Sequence, residues 1–175
     1  MRRVSLVGIS GSGKTTAGRR LAAALQVPFI ELDSIFHLPD WGELPVEGFR
    51  AQVAAAAATD GWVIDGNYSS VRDLVWERAD TVVWIDLPRA TVMRQVVTRT
   101  LRRAVTRQEL WNGNREPLSN FYKWDPMKNI IRFTWVRYHA SVARYSAAMA
   151  APQYGDITFI RLRSRVEVDA FIGSL

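Results

Sequence analysis

Gly8-Ile9-Ser10-Gly11-Ser12-Gly13-Lys14-Thr15 occupies every fixed position of the phosphate-binding loop pattern G-x-x-x-x-G-K-[ST]. The flanking residues supply the setting this loop requires. Arg3-Val4-Ser5-Leu6-Val7 reads as a short buried strand. Thr16 to Leu25 carries apolar positions at Ala17, Leu21, Ala24 and Leu25, the spacing of an amphipathic helix. A glycine-rich turn with a stray lysine would not combine this spacing with a strand before it and a helix after it. The stretch therefore predicts a nucleoside triphosphate site.

Each residue type has its own reason to be there. Gly8, Gly11 and Gly13 allow positive φ and bring the backbone N–H groups of the loop, those of Ser10 and Ser12 included, against phosphate oxygens. The helix starting near Gly13 directs its unpaired N–H groups and positive dipole end at the same anion. Lys14 is expected to reach the β- and γ-phosphates, Thr15 to ligate Mg²⁺ through its hydroxyl, and Thr16 to add an α-phosphate contact.

A chain of 175 residues suits one domain, 1–175, with a core that needs no staples. It has no cysteine, which excludes disulfides, thiolate metal sites and a cysteine nucleophile. No 18-residue apolar run exists, so no membrane partner is expected and the expected compartment is the cytoplasm. The net charge of +6 is carried by arginine: Lys14, Lys123 and Lys128 are the only lysines among 23 cationic residues. Arginine forks suit phosphate, so the surplus fits a nucleic-acid footprint, a site holding several phosphates, or a codon preference of the kind the Ala54–Ala58 run also reflects. Composition does not choose among the three.

Pro28 to Leu32 reads as a second strand ending at Asp33-Ser34, followed by a turn-rich stretch and a helix over 46–58. Trp62 to Asp65 is a third strand, Val71 to Trp76 a short helix, and Thr81 to Leu87 a fourth strand whose continuous apolar run indicates burial on both faces. Pro88 then suits the first turn of a helix with its stripe at Met93, Val96, Val97, Leu101 and Ala104, which leaves Arg99, Arg102 and Arg103 on or beside another face. Thr106 to Asp125 has no clean period. From Asp125-Pro126 a long helix is expected, with Met127, Ile131, Trp135, Tyr138, Val142, Tyr145 and Met149 in its stripe. A fifth strand over 158–162 and a last helix over 166–171 follow. Strands alternating with helices imply an α/β fold with a parallel sheet covered on both faces.

With the phosphate loop, Leu32-Asp33, Ile64-Asp65-Gly66 and the arginine-bearing segment before the last strand, the chain resembles the adenylate-kinase-like P-loop kinases. Within that group it is most similar to the small proteins labelled DNA topology modulation proteins, through Leu32-Asp33 with Trp41, Trp62 to Tyr68, and the arginine-rich helix after strand four. The resemblance implies a P-loop NTPase three-layer sandwich with sheet order 2-3-1-4-5, an arginine-rich lid at about 103–125 and a substrate-closing segment at about 34–59. It places Asp65 near Mg²⁺ or a metal-bound water, and Asp33 at the acceptor, where it orients or deprotonates a hydroxyl. Arg99 and Arg103, four apart, become the arginines that neutralise the transferring phosphoryl group, with Arg102, Arg107 and Arg115 in reserve. Arg163 joins the nucleotide-binding residues. Trp111, Phe121, Tyr122, Trp124, Phe133 and Trp135 are available to line an acceptor pocket, though at this density most are expected to pack. His37 and His139 receive no role beyond hydrogen bonding.

One departure bears on the acceptor. Nucleoside monophosphate kinases carry an arginine three residues after the acceptor-side aspartate and another in an Asp-Gly-x-x-Arg sequence, whereas here those positions are Phe36 and Ser69. Arg50 and Arg72 are the candidate substitutes. The expected activity is an ATP-dependent, Mg²⁺-requiring transfer to a small-molecule acceptor. The alternatives are a nucleic-acid-associated NTP-binding regulator and a nucleoside monophosphate kinase. The acceptor and the oligomeric state are left open.

Overall fold

The computed structural model describes residues 1–115, 125 and 129–175. Its strands are β1 (Arg3–Val7), β2 (Phe29–Glu31), β3 (Trp62–Asp65), β4 (Thr81–Ile85) and β5 (Thr158–Leu162). They form one parallel sheet in the order β2-β3-β1-β4-β5, as the resemblance implies. The helices are α1 (Lys14–Leu25), α2 (Leu32–Phe36), α3 (Val46–Ala57), α4 (Arg72–Arg78), α5 (Arg89–Thr106), α6 (Ile130–Ala150) and α7 (Arg165–Gly173). Single 3₁₀ turns stand at Pro39–Trp41, Trp111–Gly113 and Pro152–Tyr154.

The two-residue period of the central strands sorts their side chains into two cores. Trp62, Ile64, Val82 and Trp84 face one way, with Phe49 and Val53 of α3, Val75 and Trp76 of α4 and Tyr145 of α6. Val63, Val83 and Ile85 face the other, with Leu21 and Ala22 of α1 and Val168 of α7. This is the three-layer arrangement. Both indole N–H groups of the buried tryptophans Trp62 and Trp76 are paired: Trp76 Nε1 donates to Ser5 Oγ at 3.1 Å and Trp62 Nε1 to the Ala57 carbonyl at 3.2 Å.

Four readings of the sequence need correction. β2 stops at Glu31, and Asp33 lies in the first turn of α2 rather than at a strand tip. α5 buries Val92, Val96 and Thr100, a stripe turned by about one residue from the expected one, and leaves Leu101 48 % exposed. Arg99 lies at Val92's seven-residue repeat, so it continues the inward face instead of pointing away from it. In α6 the buried pair is Thr134 and Tyr145, while Trp135 is exposed with the Arg89 guanidinium 3.4 Å above its ring. α6 begins at Ile130, where the Asn129 side chain accepts from Ile131 N and Arg132 N. The expected start at 125–126 and stripe position Met127 touch on 126–128, outside the described residues. Among the described residues no helix is long and apolar enough to cross a membrane.

Candidate active site

The phosphate loop leaves β1 at the carboxyl edge of the sheet, beside the ends of β3 and β4. Its glycines take φ of +149° at Gly8, +81° at Gly11 and +92° at Gly13. Two of them also meet close neighbours. A Cβ at Gly8 would lie 2.6 Å from the Ile85 carbonyl oxygen, and one at Gly11 would lie 2.9 Å from Val96 Cβ. The loop therefore rests directly on α5. Gln95, in the amide orientation that satisfies its neighbours, donates to the Gly11 carbonyl at 3.0 Å and accepts from Arg165 Nη2 at 3.2 Å. Neither Gln95 nor Arg165 stands out in the sequence, because nothing in its pattern says that α5 packs on the loop.

Lys14 Nζ donates to the Ile9 carbonyl at 3.1 Å, folding back over the loop. Thr15 Oγ1 lies 2.7 Å from Asp65 Oδ2 and 3.3 Å from Glu31 Oε1. Asp65 is 5 % exposed, and its Oδ1 has no hydrogen-bond partner among the described residues. Burial pushes its carboxyl up to about 6, against the opposing pull of Lys14 and the Thr15 hydrogen bond. An orphaned buried carboxylate oxygen beside a threonine hydroxyl and a phosphate loop suits a hydrated divalent cation, so these residues fit Mg²⁺. Glu31, which the sequence pattern marks only as a strand residue, belongs to the same acidic corner. Thr16 is exposed on the first turn of α1, and Arg163 is exposed just past β5, with its backbone N–H on the Glu167 carboxylate at 2.8 Å.

Beyond β2, Asp33 Oδ1 accepts from the Tyr68 hydroxyl. The Tyr68 ring packs 4.7 Å from Phe36 and 5.2 Å from Phe49, centroid to centroid. Phe36 thus joins the apolar core at the position where a monophosphate kinase would place a guanidinium. The two proposed substitutes behave differently. Arg50 forks onto Asp73 at 2.7 and 2.9 Å and also donates to the Ser70 carbonyl, which ties α3 to α4. Arg72 donates Nε to Asn67 Oδ1 at 2.8 Å, and Asn67 in turn donates to the Tyr145 hydroxyl at 2.8 Å. That chain of contacts runs from α4 to α6.

Arg99 Nη2 donates to Ser10 Oγ at 3.1 Å, which puts a guanidinium against the loop. Arg103, one turn on, is half-buried, while Arg102, Arg107 and Arg115 are exposed. The described part of the expected lid is anchored to residues 34–41, within the expected substrate-closing segment. Asn114 accepts from Trp41 N at 2.7 Å and donates to the Leu38 and Trp111 carbonyls, and Asn112 donates to the Ser34 and His37 carbonyls. Trp111 stacks on His37, and Trp41 meets both edge-on. These rings pack on one another. Phe133 is half-buried, and Phe121, Tyr122 and Trp124 lie outside the described residues.

Fold and site together define a P-loop kinase fold. A shikimate kinase family model matches residues 10–39. The shikimate kinase of Corynebacterium glutamicum is 36 % identical over 100 residues, 49 % of this chain and 58 % of that protein. That of Synechococcus elongatus is 28 % identical over 138 residues, 63 % and 70 % of the two chains. The chain spans a little over half to about two thirds of the first curated relatives it matches. Solved structures cover it almost whole. The shikimate kinase from Acinetobacter baumannii in complex with shikimate aligns over 99 % of this chain and 90 % of its own, with a TM-score of 0.57 at 16 % identity. The gluconokinase from Sinorhizobium meliloti aligns over 99 % and 92 %, with a TM-score of 0.53 at 17 % identity. At these identities the likeness establishes the fold. The matches point to shikimate kinases and not to the proteins labelled DNA topology modulation proteins, which corrects the narrower resemblance.

Proposed function

We propose that the protein is an ATP-dependent kinase that moves the γ-phosphoryl group to a hydroxyl of a small molecule. The observation that carries this reading is the line of groups along one sheet edge: the glycine cradle with Lys14, the Thr15–Asp65 pair at 2.7 Å, and Asp33 beyond them. Loop amides and Lys14 hold the β- and γ-phosphates. Thr15 and Asp65 hold Mg²⁺, which when bound offsets charge on the phosphates. Arg99, with Arg103 behind it, neutralises the group in flight, and Asp33 takes the proton of the attacking hydroxyl. The enzyme supplies position and charge rather than a covalent intermediate.

Shikimate is the first acceptor to test, because the curated relatives carry that name. Its carboxylate needs a cation, and Arg72 is the acceptor-side arginine not already forked onto a carboxylate among the described residues. The matches favour neither the nucleic-acid-associated regulator nor the monophosphate kinase. A coupled ADP-release assay with Mg·ATP against shikimate, gluconate and the four nucleoside monophosphates tests the reading. Acceptor-stimulated ADP release is the expected result, and ATP binding without turnover under any acceptor would overturn it.

A further inference from the structure

We propose that Tyr68 is a positioning residue for this transfer: its phenol holds Asp33 by Oδ1 so that Oδ2 faces the acceptor hydroxyl. The inference rests on the reading of Asp33 as the proton acceptor. Asp33 needs such a partner because of where it sits. α2 is only five residues long, its N-cap makes no side-chain hydrogen bond, and a first-turn aspartate on so short a helix has no orienting group of its own. The Tyr68 hydroxyl, 35 residues away in sequence, supplies the contact at 2.5 Å.

The tyrosine is itself fixed. Its ring lies between Phe36 and Phe49, and Phe49 is fully buried, so the two side-chain torsions are set by packing. Burial and the facing Asp33, Glu43 and Asp65 carboxylates raise the phenol well above its ordinary range. The hydroxyl therefore stays protonated and acts only as a donor. With Oδ1 engaged, Oδ2 has no partner among the described residues and is available to an incoming O–H. As the acceptor oxygen bonds to the γ-phosphorus, its proton passes to Asp33 Oδ2. The bond from phosphorus to the bridging oxygen breaks, and ADP leaves with that electron pair. Tyr68 takes part in none of these exchanges.

The test is a double-mutant cycle of Tyr68→Phe and Asp33→Ala. ADP release from Mg·ATP is followed in single turnover with shikimate, and with water as acceptor in its absence. Tyr68→Phe keeps the ring and should lower kcat about tenfold or more, with KM for ATP within about twofold of wild type. In the Asp33→Ala background it should change kcat by less than about twofold. Equal losses in both backgrounds, or an unchanged kcat in Tyr68→Phe alone, would overturn the proposal. A wild-type rate in Asp33→Ala would instead overturn the proton-acceptor reading, and no ADP release by the wild type would overturn the kinase reading. Urea unfolding of the same four proteins needs no turnover. Non-additive midpoints are expected, and additive ones count against the pair.

Discussion

Thr15 Oγ1 donates to Asp65 Oδ2 at 2.7 Å, joining the residue that closes the phosphate loop to the one that ends the neighbouring strand. Burying Asp65 has a cost, only partly offset by Lys14 and the Thr15 hydrogen bond, that pH exposes. The folded protein holds the Asp65 proton up to about pH 6, against an ordinary value of 3.8, so the folded state binds more protons across that window. Stability from this group is full below the unfolded value and is lost as pH rises through 6. The ceiling is about 3 kcal/mol for a gap of roughly two units. Asp65→Asn should therefore raise Tm at pH 7.5 and match wild type near pH 4. The stabilisation of wild type by Mg·ATP should grow between pH 5 and 7, as the carboxylate ionises. Thermal denaturation across pH checks both, and parallel curves for wild type and variant would remove Asp65 as the cause.

Lys14→Ala should abolish ATP turnover and leave the fold intact. The Lys14 ammonium makes one contact within the loop, to the Ile9 carbonyl, and supports no core side chain. Circular dichroism with an ADP-release assay decides it. Turnover at the wild-type rate would sink the nucleotide assignment.

The five strands were legible because buried parallel strands read as apolar runs bounded by Gly and Asp and the loop motif places β1, whereas the sheet order followed from the resemblance to the adenylate-kinase-like P-loop kinases. Three features were not legible, each for a physical reason. Arg99 looks like a surface residue beside a stripe of Val97 and Leu101, because periodicity does not register that the phosphate loop will pack on Val96 and accept a guanidinium at Ser10. Asp33 looks like a strand end because one helical turn after β2 is too short to show a period. The segment around Asn112 and Asn114 lacks any period because side-chain amides binding distant backbone hold it. Pairings of that kind span more than 70 residues and leave no local trace.

Replacing Arg99 and Arg103 together by alanine should lower kcat by about 10³ or more, by analogy with arginines that neutralise a transferring phosphoryl group. KM for ATP should change much less, because such contacts strengthen in the transition state. Steady-state kinetics settle it, and constants within a factor of two of wild type would assign both residues to supporting α5 and the loop.

Asn114→Ala should both destabilise the protein and loosen the acceptor side. The side chain is 4 % exposed, accepts from Trp41 N and donates to two carbonyls, so truncation leaves the part-buried Trp41 N–H and Leu38 carbonyl without these partners. A loss of about 1–3 kcal/mol follows. Because the bonds join 111–115 to 38–41 and not to the phosphate loop, KM for the acceptor should rise while KM for ATP holds. Urea unfolding and kinetics check the two halves, and unchanged stability would show the contacts to be weak in solution.

AMP, CMP, GMP and UMP should all be poor acceptors. A dianionic monophosphate requires bidentate donors, and the two positions that supply them in monophosphate kinases hold Phe36 and Ser69. The structure narrows the remaining sources. Phe36 is packed on Phe49 and Tyr68, so no rotamer change brings a donor there. Arg50 is forked onto Asp73 and would have to abandon two hydrogen bonds to a carboxylate before it reached a phosphate. Arg72 alone, held by Asn67, offers a single guanidinium where two are needed. Asp33→Asn should meanwhile cripple transfer to whichever hydroxyl proves to be the true acceptor, because the amide cannot take its proton. A coupled assay of all four monophosphates at millimolar concentration is the measurement. A kcat/KM of around 10⁴ M⁻¹s⁻¹ or above for any of them would place it in the ordinary enzymatic range and overturn the prediction.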